Sequence, residues 1–324
     1  MTEVQTVRGP VPASALGTVL MHEHVFVLNE EIRQNYPALW DEDAQVAGAV
    51  ARLQALKDRG VDSIADPTVL GLGRDIRRVA RVNEQAGLNI IPATGLYTYN
   101  DVPFFFHFHG PGTLLGGDEA MVEMFTGDIT TGIAGTPIKA GFLKCAIEEA
   151  LTPGVERVLR AVAEAHKRTG APIMVHSSPS HGTGLIAQQV LRSENVDLGQ
   201  VLIAHSGDTA DLGYLHQLID GGSYLGMDRF GLDILLPTDQ RVATVAKLAA
   251  EGYADRMVLA HDSSCHIDWF PAGVREQVAP NWHYSFIHDT VLPALREAGT
   301  GERQITTMLV DNPRRYFSAG SAGA

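Results

Sequence analysis

An α/β fold of the (β/α)8 (TIM) barrel type is what the sequence predicts, on three observations. Eight short apolar runs end in polar residues, helical patterns separate them, and several runs are apolar on both faces. The chain has 324 residues, 45% of them hydrophobic and 19% charged, with 33 Gly and 16 Pro, which is a globular composition. Two domains would suit that length, but α/β barrels of this size are common as one unit. No Pro- or Gly-rich linker, charge block or repeat divides the chain, so residues 1–324 are expected to form one domain.

The expected strands are Val19–His24, Ser63–Thr68, Asn89–Tyr97, Ala140–Ala146, Pro172–Ser177, Val201–Asp208, Tyr224–Gly231 and Met257–Ser263. Runs such as Val201-Leu-Ile-Ala204 and Met257-Val-Leu-Ala260 suit strands sandwiched between a barrel interior and outer helices. Helical patterns cover Asp43–Arg59, Arg74–Ala86, Gly154–Thr169, Asp239–Ala250 and Asp289–Ala298. In the third of these, Val155, Val158, Leu159, Val162 and Ala163 make one apolar stripe, and Pro153 stands where a helix start favours it. An open doubly wound sheet is the structural competitor. The longer loops, Asn100–Gly117 and Ser264–Trp282, follow the third and eighth strands.

Histidine is enriched, with 13 in the chain. In such a barrel the side chains at the carboxyl ends of the strands converge on one face, where active sites are built. The first strand ends His22-Glu23-His24, and residues two apart on a strand share a side, so both imidazoles face one point and Glu23 faces away. The fifth strand ends at His176, the sixth carries His205 and the eighth Asp262. Each alone is weak evidence. Four imidazoles and a carboxylate at one end of successive strands form a ligand set suited to Zn²⁺, Co²⁺, Mn²⁺ or Fe²⁺.

Lys144 lies near the end of the fourth strand in the apolar run Ala140-Gly-Phe-Leu-Lys-Cys-Ala. A bare ammonium there is costly to bury. Either Lys144 pairs with acids, or its amine is neutral and adds carbon dioxide to become a carbamate able to bridge two ions. Lys139 precedes the strand and would sit at the opposite mouth, and Cys145 points the other way. Cys145 and Cys265, the two cysteines, are read as core fillers.

Met21-His-Glu-His24, Gly141-Phe-Leu-Lys144, Val175-His176, Ala204-His-Ser-Gly-Asp208, Gly226-Met-Asp-Arg229-Phe-Gly and Ala260-His-Asp262 together resemble the phosphotriesterase family of the amidohydrolase superfamily. Gly95-Leu-Tyr97-Thr-Tyr and Arg229-Phe-Gly231 look like the lactonase branch of that family. The resemblance implies a binuclear site with zinc the first choice of metal. His22, His24 and Asp262 would hold the more buried ion, His176 and His205 the more exposed one, with N6-carboxylated Lys144 and a hydroxide bridging them.

The activity implied is hydrolysis of lactones, N-acyl homoserine lactones first (quorum quenching), with a side activity on phosphotriesters. The hydroxide would attack the ring carbonyl and Asp262 collect the proton. Tyr97 would orient the lactone or the solvent, and Arg229 would stand beside the pocket with Asp208. Phe104–Phe108 together with Ile267-Asp-Trp269-Phe270 are expected to line an acyl groove. Relatives are generally homodimers, so some of these aromatics have interface as an alternative use. The chain departs from its relatives at the rim, in Ile147-Glu-Glu-Ala150, in Ser177-Ser-Pro-Ser-His181 and at His266. His181 and His266 are weaker candidates for further ligands; His107, His109, His166, His216, His261, His283 and His288 are read as structural.

Three other readings compete: a dedicated organophosphate phosphotriesterase or other ester hydrolase, a nuclease with a similar His-x-His site, and a non-catalytic scaffold. A formal charge of -13 opposes nucleic acid and anionic membranes as partners. The N-terminus lacks a secretory layout and no long apolar run occurs, so a cytoplasmic location is expected.

Overall fold

The computed structural model describes residues 2–271 and 273–318. Eight parallel strands follow one another around a barrel: β1 (Val19–Leu20), β2 (Ser63–Asp66), β3 (Asn89–Gly95), β4 (Phe142–Ala146), β5 (Ile173–His176), β6 (Val201–Ala204), β7 (Tyr224–Met227) and β8 (Met257–Leu259). Each pairs in parallel with its sequence neighbour, as crossover helices require. Backbone bonds from Met21 N–H to Leu259 O (3.2 Å) and from Asp262 N–H to His22 O (2.9 Å) bring β8 back to β1. Beyond them a second parallel pair, His24–Val27 with Ser264–Ile267, extends the closure. An antiparallel hairpin, Glu3–Thr6 with Gly9–Pro12, precedes the barrel.

Alternation along the strands divides the core in two. On β4, Leu143 and Cys145 face outward to helices such as Pro153–Thr169, while Phe142 packs inside with Ile91, Met174, Leu202 and Val258. Lys144 shares the inward side with Phe142, one step nearer the carboxyl mouth. Gly95 at the end of β3 makes room for it: a Cβ there would lie 1.8 Å from the Lys144 carbonyl oxygen.

Several strands are shorter than the sequence suggests. His205, Arg229 and Asp262 have φ of 64°, 62° and 52°, left-handed values at which a ladder cannot continue. β6 stops at Ala204, directly before the first of them, and β7 and β8 stop at Met227 and Leu259, two and three residues before the others, instead of at Asp208, Gly231 and Ser263. The first strand likewise breaks between Leu20 and His24, so His22 and His24 do not stand on one unbroken strand. The expected helix Asp289–Ala298 begins as a π turn, Ile287–Val291, before Leu292–Glu297. Pro293 has no N–H to give to the preceding turn. No described helix is long and apolar enough to cross a membrane.

Candidate active site

The strand ends gather the polar side chains in two adjoining groups. In the first, His22 Nε2 lies 3.1 Å and His24 Nε2 3.3 Å from the same oxygen, Asp262 Oδ1. In the second, His176 Nδ1 lies 2.8 Å from His205 Nε2. Lys144 opens into the same pocket as both. His22, His205 and Asp262 each offer a ligand atom within 4.8 Å of the others, a candidate place for a metal ion.

The outer faces of three of these imidazoles are tied to acceptors, and that of the fourth, His22, approaches one. Asp228, fully buried, accepts from His205 Nδ1 at 2.8 Å and lies 3.3 Å from His22 Nδ1. Its carboxyl is held far below the usual range: burial opposes this, but His205 and His22 outweigh it. Thr68 gives its hydroxyl proton to Asp66 and so accepts from His24 Nδ1 at 2.7 Å. Glu148 accepts from His176 Nε2 at 2.9 Å.

With those protons placed outward, the inward nitrogens carry lone pairs. His176 Nδ1 and His205 Nε2 then face each other lone pair to lone pair, and His22 and His24 face a carboxylate oxygen. A cation held between them would satisfy both the facing imidazole nitrogens and the carboxylate oxygen. Lys144 completes the pattern. It is 1% exposed, its Nζ has no hydrogen-bond partner among the described residues, and burial brings its pKa down to about 8 against the pull of Asp262 and Asp228. A buried ammonium without a hydrogen-bond partner is disfavoured, so the donor set fits divalent ions with Lys144 beside them.

Asp262 is held from a second side by Arg229, whose Nε lies 2.9 Å from Oδ2. Arg229 also reaches Asp208 at 2.8 Å, and Arg241 grips the other Asp208 oxygen at 2.8 Å. The Asp262 carboxyl stays well below its ordinary range, burial being outweighed by His22 and His205. Tyr97 stands edge-on to His176 with ring centres 5.2 Å apart and gives its phenol proton to Glu148. Burial, the Glu148 charge and that bond keep the phenol protonated. Glu148 itself, despite burial, is drawn down to about 2 by His176 and Tyr97.

These groups floor a pocket of about 230 Å³ whose walls are apolar. Ile267, Trp269 and Phe270 line it as expected from sequence, opposite Leu232, Ile234 and Leu235. Phe104–Phe108 do not: that stretch lies outside the pocket, with Phe104, Phe105 and Phe108 exposed and stacked on one another or on nearby histidines. The sequence expectation of an acyl groove there is therefore corrected. A larger cleft of about 660 Å³ lies next door between Leu28–Gln34 and Leu70–Arg77, sharing only the Trp269 wall and reaching none of the strand-end histidines.

The phosphotriesterase family pattern matches residues 2–317. The chain belongs to that family. A Mycobacterium tuberculosis "phosphotriesterase homology protein" is 57% identical over 319 residues, covering 98% of both chains. A Saccharolobus solfataricus "aryldialkylphosphatase" is 40% identical over 311 residues, covering 95% of this chain and 97% of the relative. The solved structure of the phosphotriesterase from M. tuberculosis superposes with a TM-score of 0.97 at 57% identity over 98% of each chain. As a phosphotriesterase-family protein the chain is a hydrolase of ester bonds in small molecules.

Three features of this family member are not evident in its sequence. Glu148 stands in a departure at the rim, and its one signal is a carboxylate four residues past a strand-end lysine. Asp228 precedes Arg229 and lies between His22 and His205, bonded to the second of them. Leu232, Ile234 and Leu235 carry no signal beyond their apolarity. The His181 side chain bonds to Ser178 and Ser180, and His266 meets Trp40 edge-on; neither belongs to the pocket.

Proposed function

We propose that this phosphotriesterase-family hydrolase is a lactonase that uses two divalent ions, zinc first among them. One observation carries the metal reading: the inward nitrogens of four imidazoles, the Asp262 carboxylate and a Lys144 amine without a partner among the described residues gather in two adjoining groups at the strand ends. His22, His24 and Asp262 would hold one ion and His176 and His205 the other. Lys144, carboxylated on Nζ, would span them. Two such ions supply a water acidic enough to attack at neutral pH and neutralise charge on the attacked oxygen.

The remaining work falls to the chain's own groups. Tyr97 presents its phenol at the pocket floor and orients the ring ester. Asp262 takes the proton released as the water oxygen adds to the carbonyl carbon and returns it to the ring oxygen as the ring C–O bond breaks to give the hydroxy acid, and Arg229 holds the carboxylate oxygen not aimed at His22 and His24. The apolar walls exclude water and fit a hydrocarbon tail, which favours N-acyl homoserine lactones or long γ- and δ-lactones over compact polar esters. The name of the S. solfataricus relative favours a second reading, a dedicated aryl dialkyl phosphate hydrolase.

Matched kinetics decide between them. The lactonase reading expects kcat/KM on a long-chain homoserine lactone to exceed that on an aryl phosphotriester by about tenfold or more. A phosphotriester preferred by orders of magnitude would overturn it. Lys144→Ala is expected to lose bound metal and nearly all turnover with the circular dichroism unchanged; full zinc occupancy in that variant would remove Lys144 from the site.

A further inference from the structure

Between the two histidines of the His-x-His segment stands a carboxylate that the reaction does not use. Glu23 is fully buried, faces away from the pocket, and no lysine or arginine pairs with it among the described residues. Its partners are instead the two residues that flank Asp262. Oε1 accepts from the His261 backbone N–H and from His261 Nδ1, both at 2.7 Å, and Oε2 accepts from the Ser263 N–H at 3.2 Å. His261 Nε2 accepts from the Ile287 N–H at 2.9 Å, which assigns the ring proton to Nδ1. All three groups facing Glu23 are thus donors.

The main chain repeats the grip. Asp262 N–H donates to His22 O at 2.9 Å, and His24 N–H donates to Ser263 O at 2.8 Å. The Trp282 indole N–H holds His261 O at 2.8 Å. Asp262 itself sits at φ 52°, a conformation that L side chains rarely adopt and that persists only when its surroundings impose it. Its own backbone gives one bond to the first strand, whereas the residues on either side of it give three to Glu23.

We propose that Glu23, acting through His261 and Ser263, is the positioning residue that holds Asp262 in its left-handed turn, so that Oδ1 stands between His22 Nε2 and His24 Nε2. The alternation of the segment then divides its labour: His22 and His24 face the ion, and the residue between them sets the third ligand of the same ion from behind. This rests on the metal reading above. Groups behind a ligand that fix its orientation commonly contribute 10- to 100-fold to metal affinity.

The test is zinc affinity of the full chain, measured by competition with a chelator, beside thermal unfolding of the metal-depleted protein. Glu23→Gln keeps the side-chain volume but turns an N–H₂ against the donors; its zinc affinity is expected to fall about tenfold or more, and the visible bands of the cobalt-loaded protein to shift. The comparison variant is Gln188→Leu, which breaks a buried network with Leu218 O and Ser223 remote from the pocket. It is expected to lose stability yet keep zinc.

A second pair covers the case in which Glu23→Gln does not fold. His261→Asn keeps a donor near the Nδ1 position and is expected to retain zinc, whereas His261→Leu is expected to release it. Wild-type affinity in Glu23→Gln, equal affinity in the two His261 variants, or a matching loss in Gln188→Leu would each overturn the proposal. A wild-type protein that takes up no zinc would overturn the metal reading and this inference with it.

Discussion

A single oxygen of Glu148 receives two protons that the site needs held still, one from Tyr97 and one from His176 Nε2. Removing each partner separates their roles. Tyr97→Phe leaves His176 oriented and is expected to lower kcat/KM on a lactone about 2- to 10-fold with zinc content unchanged, because the phenol would meet the ring ester through a neutral hydrogen bond, which contributes about 0.5–1.5 kcal/mol. Glu148→Gln acts on the imidazole instead and is expected to cut occupancy from two ions per chain to about one. A variant that lost activity with both ions bound would mean that Glu148 serves only Tyr97. At a remove from the pocket, His288 shows the opposite use of burial. Burial first, then His261 and Arg59, lowers its pKa from 6.5 to about 4. Below pH 6.5 the unfolded chain gains a proton there that the folded chain refuses, so stability falls with acidification until about pH 4. His288→Gln removes that loss. After discounting for partial exposure, its unfolding free energy relative to wild type is expected to rise by about 1–2 kcal/mol between pH 7.5 and 4.5, read by urea titration; parallel curves would refute it. At this scale the sequence exposed the residues that differ from their neighbours in chemistry, a histidine or lysine among apolar residues. It hid Glu148, Asp228 and Glu23, whose importance lies in contacts 20 or more positions away.

Among the elements, order and type were legible and ends were not. The eight strands and the helices between them follow from periodicity, which local packing enforces. Beyond the ends of β6, β7 and β8 the chain turns through a left-handed residue, His205, Arg229 or Asp262, whose conformation depends on partners elsewhere in the barrel, and a run of apolar letters does not encode that. The loops show the same divide. Phe104–Phe108 and Leu232–Leu235 are equally apolar in sequence, yet only the second stretch contributes pocket walls. Ile234 and Leu235 are 65% and 51% exposed, side chains left with surface to offer a ligand. Each methylene of a hydrocarbon tail buried against them contributes up to about 0.8 kcal/mol. Ile234→Ser is accordingly expected to raise KM for a long-chain acyl lactone about 3- to 10-fold and to leave a short-chain lactone unaffected. Equal effects on both would place the tail against Trp269 and Phe270 alone.

The barrel as a whole closes through its own candidate ligands. Met21, His22, Glu23 and His24 on one side bond Leu259, His261, Asp262 and Ser263 on the other, so the seam between first and last strands is also the wall of the metal site. An ion bound to His22, His24 and Asp262 would therefore pin the two ends of the barrel as well as serve the chemistry. Binding to the folded state alone adds RT ln(1 + [L]/Kd), about 4 kcal/mol when free zinc is a thousand times Kd. Unfolding entropy of about 2.1 cal/mol/K per residue converts this, over 324 residues, to roughly 6 °C. Chelator-stripped protein is expected to melt lower by that amount or more and to recover when zinc is returned with bicarbonate. Because the seam joins the two ends of the sheet, hydrogen exchange in the stripped protein should quicken first at Met21–His24 and His261–Ser263 and last at β3, which carries no candidate ligand. Uniform quickening around the barrel would show that the ions stabilise the fold without pinning its closure.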